Sequence, residues 1–128
     1  MLQEKGLSIN LGIQRVSLDG RKLRLTSTEF HMLAFLAINQ GRVLSLEAFL
    51  REVWRMNYFD ENGYHTVRAA MYRLRGKLGE TSRSPVWIGL CRGEGYFLLQ
   101  KAKVLEKPLL KVIAQVMEDG SLERASPY

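Results

Sequence analysis

The chain of 128 residues has the length of one domain, and 46% hydrophobic with 25% charged residues is typical of a globular protein with a single core. Nineteen lysines and arginines against thirteen acidic residues give a net charge of +6, which favours polyanionic partners such as nucleic acid or an anionic membrane surface. The single cysteine, Cys91, excludes an internal disulfide, and the apolar runs are too short to cross a bilayer. Because the amino terminus also lacks a signal-peptide pattern, a cytoplasmic location without a membrane anchor is expected.

The amino-terminal part of the chain predicts a small antiparallel sheet followed by a helix. Short alternating stretches occur over residues 7–25, and Asp19–Gly20 is a hairpin turn signal. Thr26 and Glu29 then have the spacing of a capping box, and Gly41 is expected to end the helix that they begin. The apolar face of this helix comprises Phe30, Leu33, Leu36 and Ala37.

A second helix is predicted after Ser45, which is a good N-cap, with a length of about ten residues. Its inward-facing residues are Leu46, Phe49, Leu50 and Val53. The polar and aromatic stretch that follows, residues 55–62, has neither helical nor strand periodicity. It is therefore predicted to be a loop that ends at Asn62 and Gly63.

The segment Thr66–Gly79, TVRAAMYRLRGKLG, predicts a third helix with two different faces. Its core-facing stripe comprises Val67, Met71, Leu74 and Leu78. The middle of the other face comprises His65, Arg68, Ala69, Tyr72 and Gly76, and its edges carry Arg73, Arg75 and Lys77. No acidic residue interrupts this stretch, although an ordinary solvated face mixes both signs of charge. Gly76 costs roughly 1 kcal/mol in a helix relative to alanine, and close approach to another surface is one compensation. A DNA-binding face and a solvated basic face both remain open on this helix alone.

The next segment predicts a β-hairpin. VWIGLCRGEGYFLL contains two strand-like stretches joined by Arg92, Gly93, Glu94 and Gly95. A plain turn accounts for the glycines, but it does not account for the arginine beside them. At a flexible tip, Arg92 is suited to reach a phosphate backbone or a narrow minor groove.

In this order, the elements resemble the winged-helix DNA-binding domain of OmpR/PhoB-type response regulators. Four stretches carry the resemblance, from about Leu7 to Leu99: LTSTEFHMLAFLAINQGRVLS, LEAFLREVW, TVRAAMYRLRGKLG and CRGEGYFL. The resemblance implies an α+β, winged helix-turn-helix fold with an N-terminal antiparallel sheet, a three-helix core and a C-terminal β-hairpin wing. Residues 1–100 are expected to form this domain. Residues 101–128 are expected to form an extension with a short amphipathic helix, for which docking on its own domain is favoured over self-association.

The resemblance also assigns roles to side chains. The residues expected to contact DNA through the third helix and the wing are Arg68, Tyr72, Arg73, Arg75, Lys77 and Arg92. Of these, Lys77 would lie nearer the DNA backbone and Arg92 would enter the minor groove. The loop with which the family engages RNA polymerase would comprise Asn57, Tyr58, Phe59 and Asp60. Tyr58 and Phe59 either contact that partner or pack inward, and inward packing is favoured.

The function implied is that of a sequence-specific, double-stranded DNA-binding regulator of transcription, with two protomers arranged head to tail on DNA. Because Met1 lies only a few residues before the sheet, neither a receiver domain nor a phosphorylation switch is expected in this chain. Ala70 and Tyr72 differ from residues common in the family, so the base preference is expected to differ too. Cys91 is interpreted as a small strand hydrophobe.

Two other classes of function can be set against DNA binding. A winged-helix protein–protein adaptor without specific DNA binding is the alternative, because fold does not fix function. An enzyme is not expected, and neither a metal nor a cofactor is. The chain has two histidines, His31 and His65, on different predicted helices, and one cysteine, with no spacing suited to zinc.

Overall fold

The computed structural model describes residues 5–105, in which three strands, three helices and three further strands follow one another. The first strands are β1 (Leu7–Asn10), β2 (Arg15–Leu18) and β3 (Arg21–Leu23). The helices are α1 (Ser27–Ile38), α2 (Leu46–Glu52) and α3 (Glu61–Leu78). The last strands are β4 (Ile88–Cys91), β5 (Gly95–Leu98) and β6 (Lys103–Leu105). The predicted winged helix-turn-helix fold is confirmed; the amphipathic helix predicted in the extension lies outside the described residues.

The amino-terminal sheet has four strands in the order β3-β2-β1-β6. The first three strands are antiparallel, as predicted, and Asp19 and Gly20 turn the chain between β2 and β3 with positive φ angles of 52° and 83°. The fourth strand, β6, pairs with β1 in parallel. Since β6 lies beyond the predicted domain boundary at residue 100, part of the expected extension is a strand of this sheet.

Helix α1 begins as its sequence predicts. The Thr26 hydroxyl accepts a hydrogen bond from the Glu29 amide at 3.2 Å, and the Thr26 amide donates to the Glu29 carboxylate at 2.9 Å. All four residues of its predicted apolar face are buried. Helix α2 is capped by Ser45, also as predicted, but it spans seven residues and not about ten. The chain leaves the helical conformation soon afterwards, since Arg55 has a φ of 60°.

Helix α3 begins earlier than the sequence indicates. Asp60 is its N-cap, and its carboxylate accepts a hydrogen bond from the Gly63 amide at 2.9 Å. The prediction that Asn62 and Gly63 end a loop is therefore wrong, because this pair lies in the first helical turn. Gly63 is buried, and a Cβ there would lie 2.9 Å from a methyl carbon of Leu50. Glycine thus allows α3 to lie close against α2.

Strands β4 and β5 form the predicted hairpin, which is attached to the segment before α2. The Leu44 amide donates to the Tyr96 carbonyl at 2.7 Å, and the Tyr96 amide donates back to the Leu44 carbonyl at 2.9 Å. Gly95 makes this approach possible: its φ is 149°, and a Cβ would lie 1.9 Å from the Leu44 carbonyl oxygen. The hairpin is therefore held in a fixed place relative to the helices.

One core joins all these elements. Its largest fully buried side chains are Ile9, Val16, Met32, Leu33, Leu36, Phe49, Leu50, Val67, Met71, Leu74 and Ile88. They come from the amino-terminal sheet, all three helices and the hairpin. Among residues 5–105, none of the helices has the length and hydrophobicity that crossing a bilayer requires.

Candidate nucleic-acid interface

The two faces of α3 differ as predicted in most positions. The predicted core stripe is buried, and Ala70 is buried beside it. On the other face, Arg68 and Arg73 are exposed and Tyr72 is 79% exposed. His65, Ala69 and Gly76 are exposed there too. The Tyr72 ring is thus presented to solvent between two exposed arginines.

Arg75 does not belong to this exposed face. It is 4% exposed, and its guanidinium donates to the Ile88 carbonyl at 2.7 Å and to the Glu80 carboxylate at 3.1 Å. The Glu80 carboxylate in turn accepts from the Trp87 amide at 2.7 Å and the Ile88 amide at 3.1 Å. The prediction that Arg75 contacts DNA is corrected: its donors are directed into the protein, where they fasten the end of α3 to the start of β4.

Lys77 is also engaged within the protein. Its ammonium lies 2.5 Å from the carboxylate of Glu29, which is buried in the first turn of α1. Burial raises the pKa of Glu29, but hydrogen bonds from Lys77 and Thr26 outweigh that effect, and the pKa lies below its usual value of 4.5. Lys77 thus forms an ion pair that links α3 to α1, while 38% of its side chain stays exposed, and its contact with the DNA backbone remains a prediction.

This ion pair predicts a pH-dependent stability difference. A carboxylate whose pKa is lowered by folding stabilises the fold above its unfolded pKa, near 4.5, and loses that contribution as the pH falls through the folded-state pKa. We expect Lys77→Met to lower the free energy of unfolding by about 1 kcal/mol at pH 7, a modest value because the lysine is partly exposed and screened. Urea titrations between pH 7 and pH 3 should show this difference from wild type disappear once Glu29 is protonated. A difference that persists at low pH would contradict the assignment.

Two grooves flank the hairpin, and their charges differ. The helix–hairpin groove, of about 390 Å³, lies between α3 and the hairpin. Its lining includes Arg68, Tyr72, Arg73, Gly76, Thr81, Ser82, Leu90 and Tyr96. The acidic groove, of about 450 Å³, lies between α2, the start of α3 and the hairpin tip. Its charged lining comprises Glu47, Glu61, Arg68, Arg92 and Glu94.

Tyr96 lies at the boundary between these grooves. Its ring is packed against Phe49, with ring centres 6.1 Å apart, and the Arg75 guanidinium lies 6.0 Å from the centre of the Tyr96 ring. Burial raises the pKa of the Tyr96 hydroxyl, an effect that the nearby positive charges of Arg75 and Arg68 only partly oppose. The phenol therefore stays neutral and forms a fixed wall between the two grooves.

Arg92 lies at the exposed tip of the hairpin, as predicted. It opens a turn in which Gly93 has a φ of 79°. In the same turn the Cys91 thiol donates to the Glu94 carboxylate at 2.7 Å, and this hydrogen bond raises the pKa of Cys91. Cys91 itself is a half-buried residue of β4.

The loop before α3 differs from its prediction in which residues face inward. Tyr58 is 66% exposed and Phe59 is 37% exposed, so the favoured inward packing is wrong. Trp54 and Met56 pack against the core instead. Asn57 is exposed with the two aromatic residues, whereas Asp60 is the N-cap of α3. The loop thus presents an aromatic pair to solvent.

The structural role of Glu80 was not predicted from the sequence. An acidic residue just after the C-cap glycine, Gly79, is placed against the negative end of the α3 dipole, and such a misplaced charge is a signal of a specific partner. The partner is Arg75, one turn earlier. Within residues 5–105, no group of His, Cys, Asp and Glu side chains is arranged to hold a metal ion.

The fold and the exposed cationic face of α3 define a winged-helix domain of the nucleic-acid-binding class. Residues 20–98 match the family model described as "Transcriptional regulatory protein, C terminal". The chain therefore belongs to this family, the OmpR/PhoB-type C-terminal DNA-binding domains of transcriptional regulators, and the resemblance found in its sequence is confirmed.

Similarity to individual proteins supports this family assignment. The chain is 36% identical over 96 residues to the regulatory protein VanRc of Enterococcus gallinarum, a match that covers 75% of this chain and 41% of that protein. It thus spans about two fifths of the length of such curated relatives. The DNA-binding domain of Klebsiella pneumoniae RstA, solved in complex with the RstA box, is similar with a TM-score of 0.66 and 27% identity over 77% of this chain and 97% of that one. The DNA-binding domain of Escherichia coli CpxR is similar with a TM-score of 0.63 and 30% identity, over 80% of this chain and 98% of that one.

Proposed function

We propose that this chain recognises a specific sequence of double-stranded DNA and regulates transcription from it. The observation that carries the proposal is the exposed face of α3, where Arg68, Tyr72 and Arg73 project with no acidic residue between them. The major groove admits an α-helix, and an arginine can donate two hydrogen bonds to guanine. The solved complex of the similar RstA domain with its DNA box supports duplex DNA as the partner.

The other three cationic residues that were predicted to contact DNA are proposed to have two different roles. Arg92, exposed at the hairpin tip, is proposed to enter the minor groove next to the major groove that α3 occupies. Arg75 and Lys77 are proposed to act within the protein, by fixing α3 against the hairpin and against α1. By fixing α3 in this way, the two residues would set the angle at which the helix meets the DNA.

Selection of bound sequences from a random duplex pool tests the proposal. A reproducible motif is expected, and a motif that recurs as a direct repeat would indicate two protomers head to tail. With roughly five phosphates neutralised, the logarithm of the affinity for that motif should fall against log salt with a slope near −4.5. No enriched motif at moderate salt, with a slope near zero, would favour a protein–protein adaptor.

We further propose that the aromatic pair of the loop before α3 contacts RNA polymerase. Tyr58 and Phe59 are exposed, and neither lines the two grooves beside the hairpin. Exposed aromatic side chains are typical of protein–protein contact residues.

The double substitution Tyr58→Ala and Phe59→Ala is expected to leave the dissociation constant for DNA unchanged within about twofold. Substitutions of exposed residues away from an interface usually change a free energy by less than about 0.5 kcal/mol, which corresponds to about twofold in affinity. Transcription in vitro from a promoter that carries the selected motif should change by about tenfold, the cost of one or two truncated contact residues. Arg51→Ala, on the exposed side of α2, is the control. Equal transcription with wild type and the double variant would contradict a polymerase contact at this loop.

A further inference from the structure

Gly76 is not explained by the packing of the protein itself. It lies in the last turn of α3, where glycine still lowers helix stability relative to alanine, although by less than in a helix interior. A Cβ built at this position meets no atom within 4 Å, and its φ lies outside the range that only glycine tolerates. By contrast, a Cβ at Gly95 would clash with the Leu44 backbone, and a Cβ at Gly63 would crowd the Leu50 side chain. The space that Gly76 leaves empty therefore serves something outside residues 5–105 or nothing at all.

That space opens into the helix–hairpin groove. Gly76 lines the groove together with Tyr72 and Arg73 of α3, opposite Leu90 of the hairpin. Thr81 and Ser82 line the same groove and are exposed residues. A nucleic-acid strand in this groove would therefore meet the bare backbone of α3 at Gly76 and the polar side chains of Thr81 and Ser82 beside it.

The charges of the two grooves decide which of them suits a phosphate backbone. In the helix–hairpin groove, Arg68 and Arg73 make no ion pair within the described residues, and the acidic residue, Glu80, is buried and paired with Arg75. The acidic groove carries three carboxylates against two arginines. Phosphates are repelled by carboxylates that have no cationic partner and attracted by free arginines, so the helix–hairpin groove suits a DNA strand better than the acidic groove does.

We infer that one strand of the DNA runs through the helix–hairpin groove, with its sugar–phosphate backbone packed directly against the α3 backbone at Gly76. This inference rests on the proposed DNA-binding function. Because α3 and Arg92 are proposed to occupy adjacent grooves, a strand must already pass between them, and the inference adds the residue against which that strand packs. Gly76 is a positioning residue: it supplies no donor or charge, and it sets how deeply the helix enters the groove.

Gly76→Ala and Gly76→Val test the contact, because stability and binding should change in opposite directions. The melting temperature of Gly76→Ala should rise by about 2–4 °C, less than in a helix interior, since alanine favours the helix and Gly76 lies in its last turn. Its affinity for the selected duplex should fall about tenfold, the loss typical of one misfitted contact. Gly76→Val should bind still more weakly while melting no lower than wild type. Binding equal to wild type for both variants, or a lower melting temperature for Gly76→Ala, would overturn the inference.

The path of the strand is tested with a matched pair of charge variants. Ser82 lines the helix–hairpin groove, whereas Ser84 lies two residues further along the same exposed loop and does not line it. Ser82→Glu should weaken duplex binding by a larger factor than Ser84→Glu, because a carboxylate inside the groove would meet the phosphates at short range, whereas one outside it would act through solvent. Equal losses would place the strand elsewhere. Failure of the wild-type chain to select any duplex motif would instead overturn the proposed function, a result separate from either outcome here.

Discussion

Replacement of Arg75 by alanine is expected to lower the free energy of unfolding by about 3–5 kcal/mol, the cost of breaking a buried ion pair by removing one partner. The Glu80 carboxylate would remain buried with its two backbone amide donors but without its cation. The Ile88 carbonyl would lose its donor as well. Domains of this size have about 5–15 kcal/mol of stability in total, so urea or thermal unfolding should detect the change readily.

Arg73→Ala is the matched control for this prediction. It removes the same side chain two positions earlier on the same helix, from an exposed site without an ion pair in the described part of the chain. Its unfolding free energy should stay within about 0.5 kcal/mol of wild type. Glu80→Ala should cost at least as much as Arg75→Ala, since Glu80 accepts from three donors. Similar stabilities for Arg75→Ala and Arg73→Ala would show that the buried pair does not hold the hairpin.

This distinction affects how binding data on α3 are interpreted. Arg75 and Glu80 connect the last turn of α3 to β4, so we expect their loss to loosen the hairpin relative to the helix. A loss of DNA binding by Arg75→Ala would therefore report a displaced wing and not a missing DNA contact. Measurements that separate folding from binding are needed at this position, whereas Arg68 and Arg73 are free of the complication.

Local sequence rules located most of the helical framework. The capping box of Thr26 and Glu29 and the N-cap at Ser45 are present in the structure, since both depend on residues close together in sequence. The apolar stripe of α3 from Val67 to Leu78 is buried, because helical periodicity alone selects it. These features need no knowledge of the tertiary contacts.

Positions that depend on distant partners could not be located in this way. A helical wheel places Arg75 at the edge of the polar face, but its burial depends on a carboxylate and a carbonyl supplied after the helix ends. Lys77 pairs with Glu29, 48 positions away. Asn62 and Gly63 have the composition of a turn, yet Asp60 caps a helix through them, and the Leu50 methyl groups leave little room beside Gly63. Tertiary contacts decided the outcome at Arg75 and Lys77, whereas the start of α3 follows a local N-cap at Asp60 that the turn-like composition of Asn62 and Gly63 concealed.

The double substitution Arg68→Ala and Arg73→Ala should weaken binding to the selected duplex by about 100-fold or more. Each good arginine contact to a base edge contributes about 1–3 kcal/mol, and both side chains are exposed on the face that we propose to enter the major groove. If either arginine binds a phosphate instead, the slope of log affinity against log salt should become less steep by about 0.9 for each phosphate that is no longer neutralised. Fluorescence anisotropy at several salt concentrations measures both quantities.

The control for charge removes two exposed arginines from the amino-terminal sheet, Arg15 and Arg21, so both double variants have the same net charge. Each double variant should unfold like wild type, because exposed side chains are replaced. If α3 reads bases, Arg68→Ala with Arg73→Ala should lose affinity for the selected motif far more than for a scrambled duplex, and the sheet variant should change both affinities little. Equal losses for the two variants on both duplexes would mean that net charge alone attracts DNA, and α3 would then have no role in choosing the sequence.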